Sequence, residues 1–366
     1  MNIASQTSRY INDQTAQEVK SKERDLFIDF TKGIAILLVV LGHTLQYQVQ
    51  PANFDELFSF RFIYSFHMPF FVFLSGAAAS HWIKKFDISA SLPELIKITS
   101  YRIYQSGIRL LLPFFGWAII RFWTDSPQES FFHYIAKVIQ HVDYGLWFLP
   151  CIFWCATYTS LFMFFIACTK NLLEASPLRK ISKYLSILPI QIAILLFAWI
   201  KLRSFLPPKF GFEMVNFFHG GLFFFFLLGV VFFKKITQVR SVAIRAMPYV
   251  VFLALVPFWN RTMPNNLIAS APSLLSHGWL ANKYALIVAI SGTLAITDFS
   301  RLIKERNIQL ISTFMCTIGG ASLGIYATHF YFITFKPPMI LAVATSYLLY
   351  LMISNTPIAR TVLLGK

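Results

Sequence analysis

The protein has 366 residues, of which 56% are hydrophobic and only 13% are charged. Soluble domains carry about 25% charged residues, so a soluble core could not bury this much apolar surface, and lipid is the expected solvent for most of the chain. The formal net charge of +16 would suit a nucleic-acid-binding protein. However, the basic residues are scattered between apolar segments, and membrane topology explains that distribution better.

The chain begins with 24 polar residues of mixed charge, without the apolar stretch of a signal peptide, and these predict a disordered cytoplasmic tail. Ten apolar segments follow, and helices of about 20 residues match a hydrocarbon core of about 30 Å. We therefore predict an all-α polytopic membrane protein of about ten transmembrane helices, with a transmembrane domain at 25–356 and a cytoplasmic tail at 357–366. The predicted helices lie at 31–49, 58–82, 104–123, 146–168, 184–200, 214–233, 247–259, 280–299, 312–335 and 338–354.

The distribution of positive charge gives these helices an orientation. Cytoplasmic loops of membrane proteins are enriched in Lys and Arg. If both termini are cytoplasmic, 23 of the 32 Lys and Arg residues fall on the cytoplasmic side. The sequence therefore predicts cytoplasmic termini, and one missed helix would remove this asymmetry.

The first predicted helix carries a polar stripe. Lys32 and His43 are eleven residues apart, which returns an α-helix to within about 20° of its starting direction and separates the two side chains by about 16 Å along the axis. Asp29, Gln46 and Gln50 extend the same face. A histidine near the middle of a bilayer is costly and usually marks a functional site, although a lone buried histidine can also be satisfied by a neighbouring helix.

The second predicted helix contains the segment FHMPFFVFLSGAAAS at 66–80. Pro69 removes a backbone donor and should kink the helix, and the small residues after it permit close helix packing. His67 is predicted to lie near mid-membrane, where it could face His43. The alternative is that His67 only satisfies a backbone carbonyl exposed at the kink.

The third predicted helix begins with YRIYQSGIRLLLPFFGW at 101–117. Arg102 and Arg109 are seven residues apart, so they share one face of a helix near the cytoplasm. Guanidinium groups bind phosphate through two oxygens at once. A topological role as positive charges on the cytoplasmic side is the alternative for both residues.

Two further segments carry candidate substrate-binding residues. Trp147, in DYGLWFLPCIFW at 143–154, could stack on a sugar ring or serve as an interfacial anchor. In GGASLGIYATHF at 319–330, Ser322, Tyr326 and His329 share one helix face, and His329 is expected toward the outer surface. The four cysteines lie inside apolar segments and predict no metal site.

Together these segments resemble the acyltransferase-three family, integral-membrane enzymes that O-acylate sugars of surface polysaccharides. The resemblance rests on a basic residue, ten residues and then His on the first helix, with Lys32 where the family often has Arg. It continues through His67 and Pro69, the Arg102–Arg109 pair with Pro113, Trp147 and the Ser-Leu-Gly-Ile-Tyr segment before His329. These motifs in the expected order are together far more specific than any one of them.

The resemblance implies a membrane O-acyltransferase that transfers a group, most often acetyl, from acyl-CoA to a sugar hydroxyl of a cell-surface polysaccharide or its lipid-linked precursor. The expected location is a bacterial inner membrane. His43 and His67 would be catalytic, with His43 taking the hydroxyl proton or forming a transient acyl-histidine. The expected donor-binding residues are Lys32, Arg102 and Arg109, and the expected acceptor-binding residues are Trp147, Tyr326 and His329. No metal and no nucleic acid are expected.

The competing function is a secondary transporter or a polysaccharide-lipid flippase, which would also need many helices and a polar path. The sequence lacks the internal repeat typical of many transporters. We also expect no carboxylates within the membrane that could couple ion movement to transport.

Overall fold

The structure, a computed structural model, describes residues 25–49, 53–125, 128–140, 146–177, 179–205, 222–259 and 278–366. The predicted tail at 1–24 and Gln50 lie outside these ranges. The described residues form helices and contain no strand. The α-helices are α1 (Leu26–Thr44), α2 (Phe58–Tyr64), α3 (His67–Lys85), α4 (Leu92–Ser106), α5 (Leu112–Asp125), α6 (Phe131–Gln140), α7 (Phe148–Glu174), α8 (Arg179–Ser182), α9 (Leu188–Phe205), α10 (Phe223–Thr237), α11 (Val242–Leu255), α12 (Gly278–Glu305), α13 (Gln309–Gly320), α14 (Ser322–Phe332), α15 (Pro338–Ser354) and α16 (Pro357–Leu364).

Each of the ten predicted apolar segments overlaps a helix or a pair of helices in the described part of the chain. Five helical stretches there are long and apolar enough to cross a membrane, or up to seven if each of two bent pairs counts as one span. The helices at Val242–Phe258 and Pro338–Ser354 are shorter than a typical span. The all-α membrane class is therefore confirmed, whereas the count of ten and the cytoplasmic termini remain predictions.

Helix α1 lies at the centre of the packing. Asp25 caps its first turn by accepting hydrogen bonds from the backbone N–H groups of Phe27 and Ile28. On one side it packs backbone to backbone against α13, where a Cβ atom at Gly319 would overlap the carbonyl of Asp29. Glycine at this crossing therefore brings the two helices closer than any other residue would allow.

The predicted ninth helix is not straight. Helices α13 and α14 meet at an angle of 82°, with the break between Gly320 and Ser322. Two consecutive glycines weaken the helix at this point, and the close packing of Gly319 on α1 fixes where α13 ends. The bend directs α14 along α1 and so brings His329 toward the middle of that helix.

The predicted second helix is interrupted rather than only kinked. Helix α2 ends at Tyr64 and α3 begins at His67, because Pro69 has no N–H with which to continue the helical hydrogen bonds. After the break, α3 packs against α10, and a Cβ atom at Gly76 would overlap the carbonyl of Phe226. The small residues predicted for close helix packing thus lie at such a contact.

A π-helical turn at Gly107–Leu111 joins α4 to α5. The backbone of Arg109 in this turn contacts Gly365, which has a φ of 64° and follows α16. The indole nitrogen of Trp117 donates to the carbonyl of Leu363 over 2.9 Å. Residues 357–364, which we assigned to a tail, therefore form a helix packed on α5 and this turn, and their cytoplasmic location stays a prediction.

The expectation that the membrane helices lack carboxylates is wrong. Asp29 and Asp298 lie in candidate spans and are buried. Asp298 on α12 accepts hydrogen bonds from Arg245 of α11 at 2.9 Å, from Arg301 at 2.8 Å and from Tyr249 at 3.1 Å. Two guanidinium groups therefore compensate the buried charge of Asp298.

Candidate active site

A cavity of about 960 Å³ with both polar and apolar lining residues lies among α1, α2, α3, α5, α14 and the segment that precedes α7. We call it the histidine cavity, because both histidines predicted to be catalytic line it. Its other polar and aromatic lining residues are Gln46, Tyr47, Tyr64, Arg121, Asp125, Trp147, Trp259, Tyr326, Phe330 and Tyr331.

The histidine pair His43 and His329 is hydrogen-bonded, with Nδ1 of His43 2.8 Å from Nε2 of His329. Their rings are nearly parallel, with an interplanar angle of 6° and centroids 5.0 Å apart. His329 is completely buried. The sequence predicted His329 as an acceptor-binding residue toward the outer surface, and the structure places it directly against the predicted catalytic histidine.

Backbone carbonyls determine which ring nitrogens of the pair carry hydrogen. Nδ1 of His329 lies 3.0 Å from the carbonyl oxygen of Ile325 and 2.9 Å from that of Tyr326. Carbonyls only accept, so Nδ1 of His329 is the donor and, in the neutral ring, Nε2 is the acceptor. Nδ1 of His43 then donates to it. This chain of hydrogen bonds leaves Nε2 of His43 unprotonated, which is the state that a general base requires.

His67 lies where both alternatives weighed from the sequence would place it, and its catalytic role stays a prediction. Its Nδ1 donates to the carbonyl of Ile63 over 3.1 Å at the break between α2 and α3, where the same carbonyl also accepts from the N–H of Phe66. The same ring lines the histidine cavity, and its centroid lies 4.6 Å from that of Tyr64. With Nδ1 donating, Nε2 of the neutral ring is an acceptor.

Several residues of the cavity were missed by the sequence analysis. Tyr64 donates its hydroxyl hydrogen to Gln46 over 2.7 Å. Arg121 and Asp125, one helical turn apart on α5, bring opposite charges to the wall, and Arg121 lies close enough to His329 to interact with it electrostatically. Charged residues near the end of an apolar segment look like ordinary boundary residues, so the sequence carried no distinguishing signal for these two.

A second, smaller cavity of about 160 Å³ lies beside the first, and we call it the lysine cavity. Lys32, Ser75 and Ser322 are its polar lining residues. The remaining wall is apolar and comes from Val39, Met68, Phe71, Leu110, Phe148, Leu149, Ile152, Leu323 and Tyr326.

The two cavities follow one another along the same helices. Lys32 of α1 lines the lysine cavity and His43 lines the histidine cavity, as the shared face of α1 predicted. Met68 and Tyr326 line both cavities and so form the wall between them. We call the row of groups from Lys32 in the lysine cavity, past Met68 and Tyr326, to His43 in the histidine cavity the path.

The predicted arginines lie near the lysine-cavity end of this path. Arg102 is exposed and its guanidinium lies 5.3 Å from the ring centre of Trp82. Arg109 is exposed in the π-helical turn, next to Leu110 of the lysine cavity. The two guanidinium groups are close enough to interact electrostatically. Trp147, in contrast, lines the histidine cavity.

Comparison with known proteins gives this arrangement a family. The acyltransferase domain of the acyltransferase-3 family matches residues 25–365. The chain is 29% identical over 183 residues to the nodulation protein NolL of Sinorhizobium fredii, which covers 48% of this chain and 45% of that relative. It is 32% identical over 136 residues to NolL of Mesorhizobium japonicum, covering 35% and 33%. The alignments thus span less than half of each relative.

No solved structure matches the chain. The family match nevertheless covers the described helices and every residue of both cavities. The apolar helices and the family together indicate a multi-pass integral membrane protein. The chain therefore belongs to the acyltransferase-3 family.

Proposed function

We propose that the protein is an integral-membrane O-acyltransferase. It would move an acyl group, most often acetyl, from acyl-CoA to a sugar hydroxyl. The acceptor would be a cell-surface polysaccharide or its lipid-linked precursor. The observation that carries this proposal is the pair of neighbouring cavities, with Lys32 in one and His43, hydrogen-bonded to His329, in the other. Acyl-CoA is made in the cytosol, whereas a surface glycan faces outward. A path that reaches a base from both sides allows the two substrates to meet inside the protein.

The donor would enter at the lysine cavity. Lys32, Arg102 and Arg109 would hold the phosphates of CoA by charge-assisted hydrogen bonds. The small, mostly apolar lysine cavity is suited to the thin pantetheine arm rather than to a nucleotide. The thioester carbonyl would then lie beside the wall formed by Met68 and Tyr326.

The acceptor would enter the histidine cavity. Trp147 and Tyr326 would contact the sugar through their rings, and Tyr64, Arg121 and Asp125 supply donors and acceptors for hydroxyl groups. The larger volume and polar lining of this cavity are suited to a saccharide.

His43 would act as the general base. Its Nε2 takes the proton of the sugar hydroxyl while the hydroxyl oxygen attacks the thioester carbonyl carbon. The carbon–sulfur bond then breaks, and the CoA thiolate leaves with the proton returned by His43. His329 would hold the reactive tautomer through its acceptor nitrogen, and His67 would accept a hydrogen bond from a hydroxyl of the acceptor sugar through Nε2.

A transient acyl-histidine is the second route. Unprotonated Nε2 of His43 would attack the thioester first, CoA would leave, and the sugar hydroxyl would then take the acyl group. Incubating purified protein with radiolabelled acetyl-CoA and no acceptor separates the routes. Label retained on wild-type protein but absent from His43→Gln supports the covalent route, and no retained label supports direct transfer.

The proposal as a whole is tested on membranes that contain the protein and its native glycan. Acetyl-CoA should lead to CoA release and to a glycan heavier by one acyl group, and a strain lacking the protein should lack that group. Absence of any acyl difference between the two strains would overturn the proposal.

A transporter or flippase is the second candidate function. The observation that favours it is the burial of the carboxylates of Asp29 and Asp298, since buried carboxylates could bind a coupling ion. However, Asp298 is engaged by two arginines, which makes it a poor group for reversible ion binding. Acyl transfer by purified protein in detergent distinguishes the two functions, because a transporter alone would release no CoA.

The orientation of the path depends on the predicted cytoplasmic termini and inner-membrane location. A phosphatase fused after Lys366, active only outside the cytoplasm, should stay silent, and the same reporter inserted between Asp125 and Gln128 should be active. The reverse pattern would place the lysine cavity on the outside and exclude cytosolic acyl-CoA as the donor.

A further inference from the structure

The short segment after α16, Gly365 and Lys366, is held against α5 and the π-helical turn. The indole nitrogen of Trp117 donates to the carbonyl of Leu363, just before this segment, over 2.9 Å. Gly365 has a φ of 64°, in the left-handed region, and a Cβ atom there would overlap the carbonyl oxygen of Arg109. The backbone that leads to Lys366 therefore has a defined position.

The ammonium group of Lys366 is held by uncharged partners. Its Nζ donates to the carbonyl oxygen of Gly320 over 3.0 Å and to the hydroxyl oxygen of Tyr350 over 3.0 Å. It also lies 4.9 Å from the ring centre of Tyr350. Among the residues that the structure describes, no carboxylate lies within ion-pair distance of this group. These contacts therefore leave its charge in place, and an ammonium group has a third N–H to donate.

Lys366 is a neighbour of the predicted donor-binding residue Arg109. Gly365 contacts the backbone of Arg109, and consecutive Cα atoms are only about 3.8 Å apart. Leu110, the residue after Arg109, lines the lysine cavity. The contact thus brings a second cation beside the turn that carries Arg109 to this cavity.

The other partner of Lys366 leads to Lys32. Gly320 follows Gly319, which packs on the backbone of α1 at Gly33. Lys32 directly precedes Gly33 and lines the lysine cavity. Cations from three separate elements, namely α1, the π-helical turn and the segment after α16, therefore lie around the lysine cavity.

We propose that Lys366 is a further donor-binding residue, whose ammonium group binds a phosphate of acyl-CoA. The inference rests on the proposed acyl-CoA-dependent function and deepens it, because it adds to the donor site a residue that the sequence analysis assigned to a tail. Lysine binds phosphate as a point charge. Since two neutral partners already hold the side chain, little side-chain entropy is lost when a phosphate binds.

Titration of the purified protein with CoA in detergent tests this role. Lys366→Met removes the charge but keeps an unbranched side chain, and it should raise the Kd for CoA by about tenfold, close to the lower end of the range for a hydrogen bond to a charged group. Lys366→Arg keeps the charge and should recover most of the affinity. In acyl transfer by membranes with the native glycan, Lys366→Met should raise the KM for acetyl-CoA while kcat stays at the wild-type value.

Salt separates recognition of charge from packing. Lys366 is exposed, and exposed charges are screened as the Debye length falls from about 10 Å at 0.1 M salt to about 3 Å at 1 M. The advantage of wild type over Lys366→Met in CoA affinity should therefore shrink between these two concentrations. A difference that salt does not change would indicate lost packing and would overturn the proposal.

Lys235→Met is the matched control for the loss of one positive charge. Lys235 is also exposed, its ammonium group lies 5.8 Å from the ring centre of Phe232, and it lines neither cavity. Its CoA affinity should equal that of wild type. If wild type binds CoA and Lys366→Met binds it equally well, Lys366 is not a donor-binding residue. If wild type binds no CoA and transfers no acyl group from acetyl-CoA, the proposed function itself is wrong.

Discussion

The histidine cavity and the lysine cavity lie along the same helices, yet their functional groups are held in different ways. In the histidine cavity, three side chains are fixed by hydrogen bonds to other groups of the protein: His43 to His329, His67 to Ile63 and Tyr64 to Gln46. Near the lysine cavity, Arg102 and Arg109 are exposed. Proton transfer needs a fixed distance and tautomer, whereas attraction of a polyphosphate tolerates movement. The difference predicts steep losses at one end and graded losses at the other.

The largest effect is expected at His43. His43→Gln keeps a hydrogen-bonding group but removes the base, so acyl transfer should fall by about 10²- to 10⁴-fold, while expression and membrane insertion stay normal. Glycan acylation measured by mass spectrometry checks this result. Near wild-type acylation by the Gln variant would make His43 a structural residue and would remove the basis of the proposed mechanism.

A smaller loss is expected at His329, because it acts through His43. His329→Leu removes the acceptor for Nδ1 of His43 and should slow transfer by about 10- to 10²-fold, by analogy with metal-binding histidines that lose the partner of their second nitrogen. His329→Gln offers an amide oxygen and should recover part of the rate with little change in the KM for acyl-CoA. Equal loss in the two variants would indicate a packing role instead.

Substitutions near the lysine cavity should weaken binding of the acyl donor. Arg109→Ala should raise the KM for acyl-CoA by about tenfold, as expected for one lost charge-assisted hydrogen bond, with kcat nearly unchanged. Arg109→Lys should recover only part of this loss, because lysine lacks the bidentate fork. Unchanged CoA affinity in the alanine variant, measured by titration in detergent, would assign Arg109 to topology alone.

The smallest effect on acyl transfer is expected at Gly319, where α13 packs against α1. Gly319→Ala places a methyl group against the carbonyl of Asp29 and should destabilise the protein by about 1–3 kcal/mol. The control is Gly107→Ala, where the nearest atom to a new Cβ is 3.9 Å away. Thermal inactivation in detergent should be faster only for Gly319→Ala. Similar half-lives would show that the α1–α13 contact tolerates separation.

Much of the helix pattern and half of the candidate site could be predicted from sequence. The spacing of Lys32 and His43 on one face of α1, and of Ser322, Tyr326 and His329 on α14, depends only on helix geometry, and the structure has these groups along one path. The interruption near Pro69 was also predictable, because proline lacks a backbone donor.

The contact between His43 and His329, which forms the centre of the candidate site, was not predictable. His43 and His329 are 286 residues apart in the chain, and their contact depends on the bend between α13 and α14. The two consecutive glycines mark a weak point in the helix, but the angle of the bend depends on the packing of Gly319 on α1, which is a tertiary contact. Arg121 and Asp125 were missed because they lie near the end of an apolar segment, as charged residues at a membrane boundary usually do. The burial of Asp298 was also not predictable, because its hydrogen-bond partners lie on two different helices.

The π-helical turn at Gly107–Leu111 has a consequence for related sequences. A turn of this kind holds one extra residue, so the helix on either side of it is out of phase by about 100°. Deleting a single residue there would leave hydropathy and length almost unchanged. It would nevertheless rotate Arg121 and Asp125 away from the histidine cavity. A one-residue difference in length at this position should therefore separate relatives that recognise different acceptors, even where every predicted catalytic residue is the same.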